Sequence, residues 1–139
     1  MAEITLDWLN SISFGWGSAM HLVFTAASAD EVTCEFEIAA QHLQPWGLVH
    51  GGVHCGVIET LASIGATLAV HDNGQMAVGL ENSTSFIRAA SSGTLTAVAR
   101  PISRGRTNQL WEAWIRDDRD RLVAQGKVRL QNVAATPLL

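Results

Sequence analysis

The run from Leu48 to Val70 constrains this chain more than any other stretch. It opens on His50-Gly51-Gly52 and then carries a single charged residue, Glu59, among Val57, Ile58, Leu61 and Ala62. Its length, about 20 residues, would span a membrane. Against that, it contains His50, His54 and Glu59, its glycines cluster near the start, and no basic residues flank it. It reads as a buried or half-buried helix of a globular protein, starting just before Val53. At about 100° per residue, Val53, Val57, Leu61, Ile64 and Leu68 form a bulky stripe expected to pack on a sheet. Glu59 falls on the other side with Cys55, Gly56, Ala62, Ser63 and Ala66, all small, which leaves room for a substrate or a second subunit.

The flanking sequence supplies that sheet. Ile4 to Ile12 is weakly helical, and Gly15-Trp16-Gly17 stops it. His21 to Ala27 and Val32 to Ala39 read as strands, with alternation clearest at Val32, Cys34, Phe36 and Ile38. After the helix come four more: Met76 to Ala89, Thr94 to Ile102, Leu110 to Arg116 and Leu122 to Val133. Short connections such as Ser91-Ser92-Gly93 and Asp117 to Asp120 favour antiparallel neighbours. The expected class is α+β, a mostly antiparallel sheet covered by one long central helix. No linker or repeat divides the chain, so residues 1–139 are expected to form one domain.

Composition narrows the function. Hydrophobic residues make up 47% and charged residues 16%, which suits a surface partly covered by other subunits. The net charge of −4 offers no basic field for nucleic acid. Cys34 and Cys55 are too few for a disulfide scaffold or a four-thiolate zinc site. Glu3 and Asp7 stand where a secretory signal would be basic and then apolar, so a cytoplasmic, membrane-free protein is expected, and the sequon Asn82-Ser83-Thr84 reads as chance.

Burying an ionised carboxylate is costly unless it is compensated, so Glu59 needs an explanation. A helix face meant for water normally carries several charges, and this one carries a single charge between His50 and His71. A helix start offers unpaired N–H groups and the positive end of the macrodipole, and glycines there admit a ligand close to the backbone. With a carboxylate two turns further on, the combination suits acyl transfer, in which an N–H stabilises a developing oxyanion. Other chemistries find less support. Zinc wants three or four placed ligands, and His50 and His54 share a face only if the helix runs through Gly51-Gly52, so no metal or other cofactor is expected. There is no G-x-S-x-G elbow, and neither cysteine has a His partner in sequence. His21, His42 and His71 read as structural or surface residues.

Several blocks in order carry a resemblance: "ITLDWLN", "QPWGLVHGG" with "ETLAS", "VGLENSTSFIRAA", "RPISRGRTNQLWE" and "RLVAQGKVRL". The chain resembles the hotdog-fold acyl-CoA thioesterases of the phenylacetate-degradation (4-hydroxybenzoyl-CoA thioesterase-like) type. Within them it is most similar to the branch holding 1,4-dihydroxy-2-naphthoyl-CoA hydrolase and the enterobactin proofreading thioesterase. The resemblance implies a curved antiparallel sheet wrapped around one long helix, and dimers or tetramers with active sites at the dimer interface. It implies Glu59 as general base or nucleophile and Gly51 as the N–H that polarises the thioester carbonyl. Gln44 and His50 match positions that hold the thioester or the water, and Ser63 a polar helper. Ser83, with Ser85, Phe86, Ile87 and Arg88, matches substrate- and CoA-binding positions. So does the segment Ser103, Arg104, Gly105, Arg106, Thr107 and Asn108, where the arginines are placed to meet phosphate oxygens.

Departures from the family pattern surround the substrate. Phe86 stands where relatives carry His, Ser103 where they often do, and Ser83 where a strand Asn is common, with Asn82 one position earlier. The implied activity is hydrolysis of an acyl-CoA, aromatic or of medium size, to free acid and CoA. Its rivals are hydrolysis of an acyl group on a carrier protein and a non-catalytic acyl-CoA-binding or sensor protein.

Overall fold

The computed structural model describes residues 3–136, so both ends of the expected 1–139 domain lie outside the described residues. Two short helices lead: α1 (Leu6–Ser11) and α2 (Gly15–Ala19). Strands β1 (Val23–Ala27) and β2 (Val32–Glu37) follow, then the long helix α3 (Gly51–Val70). Strands β3 (Gln75–Phe86), β4 (Thr94–Arg104), β5 (Asn108–Arg116) and β6 (Leu122–Ala134) complete the fold. The sheet order is β1-β2-β4-β5-β6-β3, and every neighbouring pair is antiparallel. The expected α+β architecture, one long helix against an antiparallel sheet, is what the chain forms.

Two local expectations need correction. Gly15-Trp16-Gly17 does not end helical structure but forms most of α2, separated from α1 by Ile12 to Phe14. The long helix starts at Gly51 rather than Val53, because His50 caps it: its Nδ1 accepts from the Gly52 N–H at 2.8 Å. A side-chain acceptor at the N-cap satisfies an otherwise orphaned donor, so the two glycines become helical. The apolar run that passes the length test for a membrane span, Gly51–Asn73, is half buried within this fold.

The core shows why α3 sits as it does. Inward positions alternate along β2 (Val32, Cys34, Phe36), β4 (Leu95, Ala97, Ala99) and β5 (Gln109, Trp111, Ala113, Ile115). Alanines in the middle of the inner face let the sheet close around the helix. The buried arc of α3 is therefore turned from the expected stripe. Val53, Val57 and Leu61 are buried as expected, but Ile64 and Leu68 are only half-buried. Ile58, Ala62 and Ala66 are fully buried instead, so Ala62 and Ala66 belong to the core rather than to an open face beside Glu59. The physical reason is Trp111: its fully buried indole lies against Gly65, where the helix has no side chain to offer.

A buried amide network ties the same region together. Gln109 Nε2 donates to Ala66 O at 2.9 Å and to Asn132 Oδ1 at 2.8 Å, and Trp111 Nε1 donates to Gln109 Oε1 at 2.8 Å. Asn132 Nδ2 in turn donates to Gly105 O and Arg106 O. Each buried polar group here has a partner, which is what makes such a network stabilising rather than costly. At one edge, Asn10 exchanges two hydrogen bonds with the Phe24 backbone, so α1 closes part of the free side of β1. At the other edge, β3 runs for 12 residues with Val78 and Leu80 exposed.

Trp111 cannot yield easily, being fully buried and hydrogen-bonded, so Gly65→Ala forces a methyl into its ring. Ala gains up to about 1 kcal/mol over Gly in a helix, but overpacking costs about 1–3 kcal/mol. A net loss of stability by chemical denaturation is the expected outcome, and an unchanged or raised midpoint would contradict the contact.

Candidate active site

Glu59 lies half-buried in the middle of α3, the single charged residue between Gly51 and Val70. Its carboxylate has a partner that the sequence reading did not assign: Asn82 of β3 donates through Nδ2 to Glu59 Oε2 at 3.1 Å and to Cys55 O at 3.0 Å. Ser63, one turn further along α3, is also half-buried, and its hydroxyl makes no hydrogen bond to Glu59. Trp16, from α2, lies against Gly56, one turn before Glu59, where a Cβ would stand 2.5 Å from the indole. No periodicity in the sequence pointed to Trp16.

At the N-terminal end of α3 a second group assembles. The segment before it is a tight turn, with Gln44 N donating to Leu48 O at 2.8 Å, Gly47 N donating to Gln44 O at 3.0 Å, and Gly47 at φ +83°. Gln44 Oε1 accepts from the Trp46 N–H, which leaves its side-chain NH2 as the free donor. His42, read from sequence as structural or surface, is fully buried and bonded at both ring nitrogens, to Ala39 N and Met20 O. His50 has its Nδ1 engaged in the cap, so in the neutral ring Nε2 carries the proton and faces outward as a donor. The Val53 N–H turns back to His50 O at 2.9 Å, and the Gly52 N–H is held by the cap. The Gly51 N–H is left as the free donor of this helix start, at the positive end of the macrodipole.

Gln44, Gly51, Phe86, Ile87 and Arg88 line one cavity of about 280 Å³, together with Leu48, Val49 and His54. The Phe86 ring packs on Gly51, with ring carbons 2.8 to 3.3 Å from where a Cβ would be. The structure thus brings five of the sequence-assigned residues together in this cavity, with a sixth, His50, beside them as the cap of α3.

Others lie elsewhere. Ser83 and Ser85 point away from α3 and border a separate groove with Gln125 and Lys127. The segment Ser103 to Asn108 spans the β4–β5 turn at the far end of α3, where Arg104, Gly105 and Arg106 border a depression with Ala69, Val70 and Asn73. A 20-residue helix is roughly 30 Å long, so these residues do not meet Gln44 and Gly51 within one chain. Arg104 Nη1 is already engaged with Asp30 Oδ1 and Ala29 O, each at 2.8 Å. Arg88 and Arg106 are exposed and stand outside the ion pairs formed among the described residues.

Comparison with known proteins bears on the family and the fold. Residues 47–124 match the family model described as thioesterase superfamily. A Mycobacterium tuberculosis protein provisionally described as an esterase is 42% identical over 129 residues, spanning 91% of this chain and 92% of its own. The proofreading thioesterase EntH of Cronobacter sakazakii is 36% identical over 120 residues, 86% of this chain and 87% of its own. The crystal structure of a Haemophilus influenzae thioesterase superposes with a TM-score of 0.88 at 28% identity, covering 96% of this chain and 93% of that one.

One residue beside the cavity makes the fold pH-sensitive. His54 is 3% exposed, its Nδ1 has no hydrogen-bond partner, and burial pushes its pKa from 6.5 down to about 4. Above pH 6.5 the ring is neutral folded or unfolded, and it contributes nothing to pH dependence. Between 6.5 and 4 the unfolded chain takes up a proton that the folded chain refuses, so stability falls as pH falls. The loss is on the order of 3 kcal/mol at pH 4. Denaturation profiles should show this slope in the native protein and a flatter one in His54→Phe; parallel profiles would remove His54 as its source.

Proposed function

This chain belongs to the thioesterase superfamily, and we propose that it hydrolyses acyl-CoA thioesters to the free acid and CoA at sites built from two copies of the chain. Thioesterase-type hydrolysis is the activity of its relatives; the CoA substrate and the role of Glu59 are the further reading. The observation that carries it is Glu59 itself, a half-buried carboxylate held by an amide on the helix whose first N–H is free.

The chemistry follows from those two groups. The thioester carbon is attacked by water whose proton Glu59 takes, or by the Glu59 carboxylate itself with water then hydrolysing the mixed anhydride. In either route the carbonyl oxygen becomes anionic, and an N–H such as that of Gly51 stabilises it at hydrogen-bond distance. Collapse expels the CoA thiolate, which leaves as the thiol after gaining a proton. The free NH2 of Gln44 and the outward Nε2–H of His50 are the neighbouring donors. The cavity of about 280 Å³, with Phe86, Leu48 and Val49 in its wall, suits a compact aromatic or medium-size acyl group. Arg88, at the same cavity, is free to meet a CoA phosphate.

Distance supports a site shared by two protomers. Glu59 stands eight residues after Gly51, roughly 12 Å along the helix axis. One thioester carbonyl cannot touch both groups of the same chain. Glu59 of one protomer with Gly51 and Gln44 of its partner resolves this, and the open edge of β3 is where a second copy would add its own strand. The segment Ser103 to Asn108 stands roughly 30 Å from Gly51 in its own chain, so any part it plays at this site comes from a protomer other than the one that supplies Gly51 and Gln44.

Thiol release from acetyl-, hexanoyl-, benzoyl- and palmitoyl-CoA tests the reading. Glu59→Gln should lower kcat by on the order of 10²–10⁴, and near-native turnover on every good substrate would sink the role. Hydrolysis confined to acyl-carrier protein, or tight binding without thiol release, would favour the rival readings. Co-expression of Gln44→Ala with Glu59→Gln should recover activity above either variant alone, because one site of each mixed dimer is intact. No recovery in isolated mixed dimers would place both residues in one protomer's site.

A further inference from the structure

The strand facing Glu59 changes register at the site. In β3, Gly79 pairs with Leu130 and Glu81 with Arg129, so Leu80 is an extra residue, a β-bulge. Up to Gly79 the positions facing α3 are Ala77 and Gly79. Strict alternation would next turn Glu81 and Ser83 toward the helix. That would set a second carboxylate against Glu59. The bulge reverses the alternation: Glu81 turns outward, where it meets Arg129 at 3.7 Å, and Asn82 and Thr84 turn inward. Bulges re-aim side chains beside functional sites in this way.

The hydrogen bonds then permit one orientation of the Asn82 amide. Cys55 O and the ionised Glu59 carboxylate can only accept, so the atom facing both is the NH2 group. Oδ1 faces the other way and accepts from the Thr84 hydroxyl at 2.7 Å. Two glycines make room for this chain of contacts. A Cβ on Gly79 would collide with Glu59 Oε1, and one on Gly126 would stand 2.6 Å from Thr84 Oγ1. Asn82 thus occupies Oε2 from one side, and Oε1 rests over the bare backbone of Gly79.

We propose that Asn82, oriented by Thr84, is a positioning residue that locks the Glu59 carboxylate and presents Oε1 as the reacting oxygen. This rests on the reading of Glu59 as the group that drives hydrolysis. It adds the residues that aim it and the oxygen it uses. Near-attack geometry is sensitive to shifts of about 1 Å, which cost up to 10²-fold. The lock therefore acts on turnover rather than on binding.

The test measures kcat and KM with the best of the four acyl-CoAs above. Asn82→Ala should lower kcat by on the order of 10- to 100-fold with KM little changed. Thr84→Val, which keeps the side-chain shape, should lower kcat by less. The double variant should be no slower than Asn82→Ala alone, since both changes break one device. Gly79→Ala should displace Oε1 and lower kcat in a chain that still folds. If Asn82→Ala fails to fold, Thr84→Val and Gly79→Ala carry the test. Native kcat in Asn82→Ala, or in these two variants if it does not fold, overturns the proposal while an inactive Glu59→Gln leaves the functional reading standing. Losses that multiply in the double variant overturn the role of Thr84 as orienter. A fully active Glu59→Gln, or a native protein that releases no thiol, removes both the reading and the lock.

Discussion

A curved sheet closed around one helix is the constraint from which the rest of this molecule follows. Burial of α3 against β2, β4, β5 and β6 depends on small residues at the closest approach, Gly65 against Trp111 and alanines along the inner face of the sheet. The amide network of Gln109, Trp111 and Asn132 holds that contact and, through Gly105 and Arg106, the β4–β5 turn. With the helix so placed, its remaining face and its N-terminus are presented at fixed positions. A carboxylate on that face is then held by the scaffold rather than by a mobile loop, which is the condition for a well-positioned reacting group.

The candidate site residues divide between the two ends of one helix. Gln44, His50, Gly51 and the cavity wall gather at its start, Glu59 sits two turns on, and the arginine-bearing turn lies at its far end. Rigid helix geometry forbids the three groups from converging within one protomer. The separation that disperses these residues in a single chain thus supports the reading in which a pair of chains builds two equivalent sites. The exposed β3 edge, with Val78 and Leu80 uncovered, is consistent with the same arrangement.

Legibility in the sequence varied with the range of the interaction. The strands from β2 to β6 and the long helix followed from alternation and from one uninterrupted apolar run, because these patterns are local. The buried arc of α3 was only half legible: Val53, Val57 and Leu61 were foreseen, while Ala62 and Ala66 were assigned to the wrong face. Alanine carries no strong pattern of its own, and it was the indole of Trp111 that drew this side of the helix inward. His50 was singled out as a site candidate, and its part as helix cap emerged only with the backbone in place.

The sequence by itself determined the fold class, the family to which the chain belongs, and the prominence of Glu59 and the glycine turn. Periodicity and residue chemistry can be read along the chain, and the family is carried by ordered sequence blocks that resemble it, none of which needs a structure to be seen. Tertiary structure decided which side chains surround that carboxylate. One extra residue at Leu80 exchanged Glu81 for Asn82 at the inner face of β3. A side-chain period of two makes every later position depend on such a bulge, and a bulge is set by pairing with β6, about 50 residues away in sequence. The partner of the lone carboxylate was therefore present in "LENST" from the start, but only the register of the sheet could point it inward.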